Sequence, residues 1–209
     1  MSESPAKGKK FLPEPLDRSD IEALLASNIC SVKSWTGTRN RAMIATMWRC
    51  GIRVSELTAL ELKDYTRYTR KTPARLRIMK PKGLQRGTPP RNVAVDEGLR
   101  IAIEAWLKFR GNKPGILFPS RHQVTHREGR QNRSNVAQIL QRAAKAAGIT
   151  KRCHPHGLRH TFAADLVSEK VSLLHIQRAL GHTSIATTEK YLRGIGYEET
   201  VEALAARVW

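Results

Sequence analysis

The sequence predicts a mainly α fold with one small antiparallel β element, an α+β domain. Three observations carry this. Apolar residues recur at helical spacing through most of the chain. Only Arg75–Met79 and Arg91–Val95 alternate polar and apolar residues in the two-residue period of a strand. Between those two stretches lies a Pro/Gly-rich basic loop, KPKGLQRGTPP.

Taken in order, residues 1–16 read as a flexible basic tail. They hold Ser, Pro, Gly and the cations Lys7, Lys9 and Lys10, with little to bury. Helical signals begin at Asp17–Asp20, with Ile21, Leu24 and Leu25 on one face. A second helix is expected from about Thr36 or Thr38, carrying Met43, Ile44 and Met47 and stopping at Gly51. A short helix should follow from Ser55, with Leu57, Leu60 and Leu62. Beyond the strand–loop–strand unit, Asp96 is an N-cap for a helix to about Arg110, whose apolar face holds Leu99, Ile103, Trp106 and Leu107. Residues 111–133 read mostly as loop, around the apolar stop Ile116-Leu117-Phe118. Val136, Ile139, Leu140 and Ala143 mark a helix from about Arg133 that ends at the C′ glycine Gly148. Further helices are expected over 156–168, 172–180 before Gly181, 184–193 and 198–208, the last with Val201, Leu204, Ala205 and Val208 in a stripe.

Composition narrows the function classes. The chain has 209 residues, enough for one domain with its own core. It carries 37 Lys and Arg against 18 Asp and Glu, a net charge of +19, which points to a polyanionic partner, nucleic acid first. No apolar run is long enough to span a membrane, and the N-terminus has no secretory apolar core. Cys30, Cys50 and Cys153 are an odd, scattered set that suits free thiols in a reducing cytoplasm.

Four local strings hold residue types that do chemistry. In CGIRVSEL (50–57) Arg53 follows a glycine break and opens a helix, so its guanidinium can be aimed at an anion, with Glu56 one turn on. Read alone, the string also fits an ordinary surface arginine. In HPHGLRH (154–160) His156 and Arg159 lie three apart on one helical face, which suits a phosphate. The crowding of Cys153, His154, His156 and His160 raises metal binding as a competing reading. The string lacks the glutamate of H-E-x-x-H, no second cysteine pair is near, and an arginine among the ligands would repel a dication, so no metal is expected. Third, Gly181 puts His182 at an exposed corner, and Tyr191 follows on the next helix, where a tyrosine is ordinarily core or surface. Fourth, residues 63–91 hold ten Lys and Arg and one acidic residue, among them Lys80, Lys82 and Arg86, a run that also reads as a solvated phosphate grip. Arg121, Arg127, Arg130 and Arg133 add further candidate DNA contacts.

In combination, CGIRVSEL at 50–57, PHGLRHTFA at 155–163 and LGHTSIATTEKYL at 180–192 resemble the catalytic domain of the tyrosine recombinases, the phage integrase family. The resemblance covers residues 17–195. It implies that Arg53 and Arg159 clamp a phosphate and that His156 and His182 are the family's two histidines. It further implies that Tyr191 is the nucleophile, that Glu56 supports Arg53, and that Lys82 in the hairpin is the general acid. The loop is longer than the usual Gly-Lys-Gly pattern, so Lys80 is a rival. The implied activity is site-specific DNA recombination (integration, excision or inversion) through a 3′-phosphotyrosine, with no cofactor, ATP or metal. The implied partners are double-stranded DNA, a tetramer of protomers in synapsis, and an accessory DNA-bending protein; the implied location is the cytoplasm, at the nucleoid.

Three domain expectations follow: a tail over 1–16, a catalytic domain over 17–196, and a C-terminal helix over 197–209 whose apolar stripe either packs on its own core or, as the resemblance implies, is exchanged between protomers. Most members of the family carry a helical DNA-clamping domain ahead of the catalytic one. Only 16 residues precede the first helix here, as in the single-domain fimbrial-switch inversion recombinases or the separated catalytic half of a longer protein. Three other activities compete: a type IB topoisomerase with similar chemistry, a catalytically silent DNA-binding regulator, and a metal-dependent relaxase.

Overall fold

The structure is a computed structural model that describes residues 15–79, 90–121 and 128–182. Its helices are α1 (Arg18–Ala26), α2 (Trp35–Cys50), α3 (Val54–Leu57), α4 (Glu97–Arg110), α5 (Arg133–Ala146), α6 (Pro155–Ser168) and α7 (Leu173–Leu180). Its strands are β1 (Tyr65–Thr66), β2 (Arg75–Ile78), β3 (Arg91–Ala94), β4 (Pro119–Arg121) and β5 (Glu128–Arg130). The mainly α architecture with small antiparallel sheets is the one the sequence predicts. The expected helices at 184–193 and 198–208 lie outside the described residues.

Helix α2 is the centre of the fold, and its composition explains why. Ala42, Met43, Ile44, Ala45, Met47 and Cys50 are buried on nearly every side, so neighbours must surround it. Helices α4 and α6 pack on it. The single apolar stripe of α4 (Leu99, Ile103, Trp106, Leu107) is buried, and Asp96 caps its start by accepting from the Leu99 N–H at 2.8 Å. Trp106 is fully enclosed. Its indole N–H donates to the Leu117 carbonyl at 2.8 Å, and its ring meets Trp35 edge-on at 4.9 Å. Leu16, in the stretch read as a tail, is buried too, and its N–H donates to Thr161 Oγ1 at 3.0 Å.

Strands β1, β2 and β3 form an antiparallel sheet in that order, with Leu76 opposite Val93 and Ile78 opposite Arg91. Directly opposed residues share a face. Leu76, Ile78 and Val93 are buried, and Arg91 is on their side. Arg75 and Arg77 are exposed on the other.

Two segments differ in detail from the sequence expectation. Most of the described residues within 111–133 are loop, as expected, but β4 and β5 also pair there as a hairpin with Ser120 opposite Gly129. The helix expected to carry Leu60 and Leu62 ends at Leu57. Leu60 and Leu62 instead exchange backbone hydrogen bonds with Leu117 and Gly115, which tie the chain to the Ile116–Phe118 run. Among the described residues, no helix is long and apolar enough to cross a membrane. The three cysteines are buried and unbonded to one another, and burial pushes the thiols of Cys50 and Cys153 up to about 12.

Candidate functional site

Two glycines shape the site. Gly51 ends α2 and Gly181 ends α7, each in the left-handed region with φ of +56° and +64°. A Cβ on Gly51 would lie 2.1 Å from the Phe162 ring, so only a hydrogen fits. Phe162 and Ala163 of α6 and Ile176 and Leu180 of α7 form a small apolar cluster that seats the end of α7 beside that of α2. The last carbonyls of both helices converge there. Helix C-terminal carbonyls lack intrahelical donors and carry partial negative charge.

Arg159 of α6 fills that space with 1% exposure. Its Nη1 donates to the Gly51 carbonyl at 2.6 Å and its Nη2 to the Leu180 carbonyl at 2.7 Å. Nη2 also lies 3.0 Å from His182 Nε2. A guanidinium only donates, so His182 Nε2 accepts and the ring is neutral, with its proton on Nδ1. Electrostatics agree. Burial, then the charges of Arg159, Arg53, Arg91 and His156, hold His182 down to about 4. His182 is therefore half-buried rather than at an exposed corner, because Arg159 draws it in.

Arg53 is the residue before α3, and its side chain is 26% exposed. Its N–H donates to Glu56 Oε2 at 2.8 Å and its Nη1 to Glu56 Oε1 at 3.2 Å. The Glu56 side chain is fully buried. Burial pushes its carboxyl up, but Arg91 and Arg53 outweigh that and hold it below the ordinary value. The larger partner is Arg91 of β3, whose Nη1 and Nη2 donate to Oε1 and Oε2 at 3.1 and 3.0 Å, a two-pronged fork. Three guanidiniums against one carboxylate leave a cationic pocket.

His156 is exposed in the first turn of α6, where Pro155 opens the helix. Its ring stacks edge-on against His160 at 4.6 Å. Burial, then the neighbouring His156, His154 and Arg159, hold His160 down to about 4. Among the described residues no three His, Cys, Asp or Glu side chains gather as a metal cluster.

The structure thus brings together Arg53, Glu56, Arg159, His182 and His156. Arg91 joins them, although the sequence reading passed over it. A signal was available: in Arg91-Asn92-Val93-Ala94-Val95 the alternation puts Arg91 on the inward face with Val93, where a cation needs a carboxylate. The other candidates are elsewhere. Arg121 is on β4, Arg130 is exposed on β5, and Arg133 is exposed at the start of α5. Arg39 of α2 donates to the Pro119 carbonyl at 2.9 Å, which anchors that hairpin 12 residues, about 18 Å, along α2 from Gly51. Lys80, Lys82, Arg86, Arg127 and Tyr191 lie outside the described residues.

This architecture is that of the tyrosine recombinase catalytic domain. The crystal structure of XerA recombinase superimposes with a TM-score of 0.71 at 25% identity, over 94% of this chain and 66% of that one. XerH site-specific recombinase, bound to palindromic difH substrate in a post-cleavage complex, matches with a TM-score of 0.70 at 24% identity, over 93% of this chain and 53% of that one. The profile of the phage integrase family matches residues 14–194, and the chain belongs to that family. Tyrosine recombinase XerD of Caulobacter vibrioides is 40% identical over 199 residues, which cover 91% of this chain and 60% of that protein. Tyrosine recombinase XerC of Chromohalobacter salexigens is 29% identical over 184 residues, covering 88% and 57%. The chain thus spans about six tenths of the length of these curated relatives.

Proposed function

We propose that this chain is the strand-transfer domain of a site-specific DNA recombinase, which cuts and rejoins duplex DNA through a 3′-phosphotyrosine. One observation carries the reading. Arg159 is almost wholly buried yet held against two helix-end carbonyls and His182, with Arg53, Glu56 and Arg91 beside it. Burying a guanidinium is costly, and positioned cations of this kind are what developing phosphoryl charge requires.

Tyr191 attacks a backbone phosphorus and displaces the 5′ oxygen, while a histidine of the site accepts its phenolic proton. A free phenol, with a pKa near 10, is a poor nucleophile, and nearby cations improve it. As the fifth bond forms, charge builds on the non-bridging oxygens. The planar forks of Arg53 and Arg159 stabilise that charge, and His156 and His182 add hydrogen bonds. The departing 5′ oxygen takes a proton from Lys82, or from its rival Lys80. The phosphodiester energy stays in the phosphotyrosine bond, so neither ATP nor a metal ion is needed. A 5′-hydroxyl of a second duplex reverses the step and exchanges strands. In this scheme residues 1–16 are a tail whose last residue, Leu16, is anchored in the core, 17–196 the catalytic domain and 197–209 a helix exchanged between protomers of a tetramer on DNA. Arg86, Arg121, Arg127, Arg130 and Arg133 contact phosphates, and an accessory DNA-bending protein assists synapsis.

The test is covalent trapping. The protein is mixed with DNA from either side of its own gene, without metal or ATP, and run on denaturing gels. The expected result is an SDS-resistant adduct that Tyr191→Phe abolishes while still binding DNA, and that Arg53→Ala and Arg159→Ala reduce by about 10²-fold or more. An adduct retained in Tyr191→Phe would mean that the nucleophile is another residue. Binding without any adduct, on DNA proven to hold the site, would favour a silent regulator.

A further inference from the structure

We infer that Arg91 is a positioning residue of this site: its fork on Glu56 orients Arg53, and its Nε holds the end of α7 that carries His182. This rests on the strand-transfer reading for its consequence and on the geometry for its cause. Arg91 donates through both Nη atoms to Glu56 at 3.1 and 3.0 Å and through Nε to the Ala179 carbonyl at 3.3 Å. Its side chain is 12% exposed against a carboxylate with no exposure at all. The absent Cβ of Gly181 makes room for it, since a Cβ there would lie 2.9 Å from the guanidinium carbon. One side chain thus joins β3, α3 and the end of α7.

Competition for Glu56 is the core of the argument. A buried carboxylate takes whichever fork it can find. With Arg91 on both oxygens, Arg53 makes one side-chain bond to Glu56, at 3.2 Å, rather than a two-pronged one. Without Arg91, Glu56 would draw the Arg53 fork onto itself and away from a phosphate. A lysine at position 91 would keep the charge but could not span both oxygens.

The test measures single-turnover adduct formation and DNA affinity for Arg91→Met, Arg91→Lys, Glu56→Gln and the Arg91→Met/Glu56→Gln double variant, with Arg18→Met as a surface control. Misplacing a reacting group by about 1 Å costs on the order of 100-fold. The expected result is therefore a roughly 10- to 100-fold slower step in Arg91→Met, with DNA affinity changed less than about threefold. Arg91→Lys should recover only part of the rate, and the double variant should be no slower than the worse single one. A wild-type rate in folded Arg91→Lys overturns the inference. So do losses that multiply in the double variant, or a loss carried wholly by DNA affinity. Where Arg91→Met fails to fold, Arg91→Lys and Glu56→Gln decide. If the wild-type protein forms no adduct, the strand-transfer reading falls by itself. The positioning claim is then read in the DNA-free protein from the His182 ring signals by NMR. They should shift in Arg91→Lys and Glu56→Gln but not in Arg18→Met, and unmoved signals refute it.

Discussion

A single imidazole shows how tightly the site is built. His182 is held down to about 4 from an ordinary 6.5, because burial and then Arg159 and the neighbouring cations disfavour its charged form. His160 is held to about 4 in the same way. The folded protein therefore binds fewer protons than the unfolded chain between these values. Stability from this source is complete above about 6.5 and drains as the pH falls toward about 4. Glu56, depressed below its ordinary 4.5, adds its own loss only lower down. Thermal melts should show a midpoint that drops by several degrees through this window, and His182→Gln and His160→Gln should each flatten the drop; a flat wild-type profile would refute the assignment. Gly51→Ala tests the backbone of the same site. It forces a side chain into the left-handed region, about 1–2 kcal/mol, and into the Phe162 ring, about 1–3 kcal/mol more, so chemical denaturation should show a loss of roughly 2–5 kcal/mol. Local motifs made Arg53, Glu56, His156, Arg159 and His182 legible in the sequence. Arg91 is legible only as an inward-facing position in the alternation of its strand, because its partner Glu56 is 35 positions away and its own string looks like one more member of a basic run.

Helices announce themselves where a cap and a stripe coincide. Asp17 and Asp96 cap α1 and α4, and Gly148 and Gly181 follow the ends of α5 and α7 as read. Short strands do not. The two residues of β1 and the three each of β4 and β5 are too few to display a two-residue period, and their pairing is decided by tertiary contacts. The same cause ends α3 before Leu60 and leaves Leu62 at the head of a separate 3₁₀ turn, since Gly115 and Leu117 supply backbone partners for both. Asp96 does more than cap. It also pairs with Arg49 in the last turn of α2, so one carboxylate starts α4 and fastens it to the central helix. Asp96→Ala should remove a cap worth about 1 kcal/mol and a half-exposed pair worth up to about 1 kcal/mol. Asp96→Asn should keep the cap and lose mainly the pair. Denaturation midpoints falling in the order wild type, Asn, Ala would support this; an equal loss in both variants would assign the whole effect to the charge.

At the scale of the whole molecule, the net charge of +19 is the feature most directly readable from the sequence, and it makes a claim of its own. The fold does not spend this charge in one place. Arg53, Arg91 and Arg159 converge on the pocket, Arg75 and Arg77 stand on the outer face of β2, and Arg130 and Arg133 are exposed at β5 and α5. If the proposed DNA contacts are mainly phosphate contacts, binding releases condensed cations, and the logarithm of affinity falls linearly with the logarithm of salt. Six to ten such contacts would cost about 10³- to 10⁵-fold between roughly 50 and 200 mM salt. Titration of duplex DNA against this domain should show that slope on random and cognate sequences alike, because phosphates are common to both. Cognate DNA should lie above random DNA by a nearly salt-independent offset that comes from base contacts. Arg130→Ala and Arg133→Ala should each lower the slope by about one. A slope near zero would mean that the exposed arginines are solvated rather than engaged, and the distributed phosphate grip would be abandoned while the buried pocket stood unaffected.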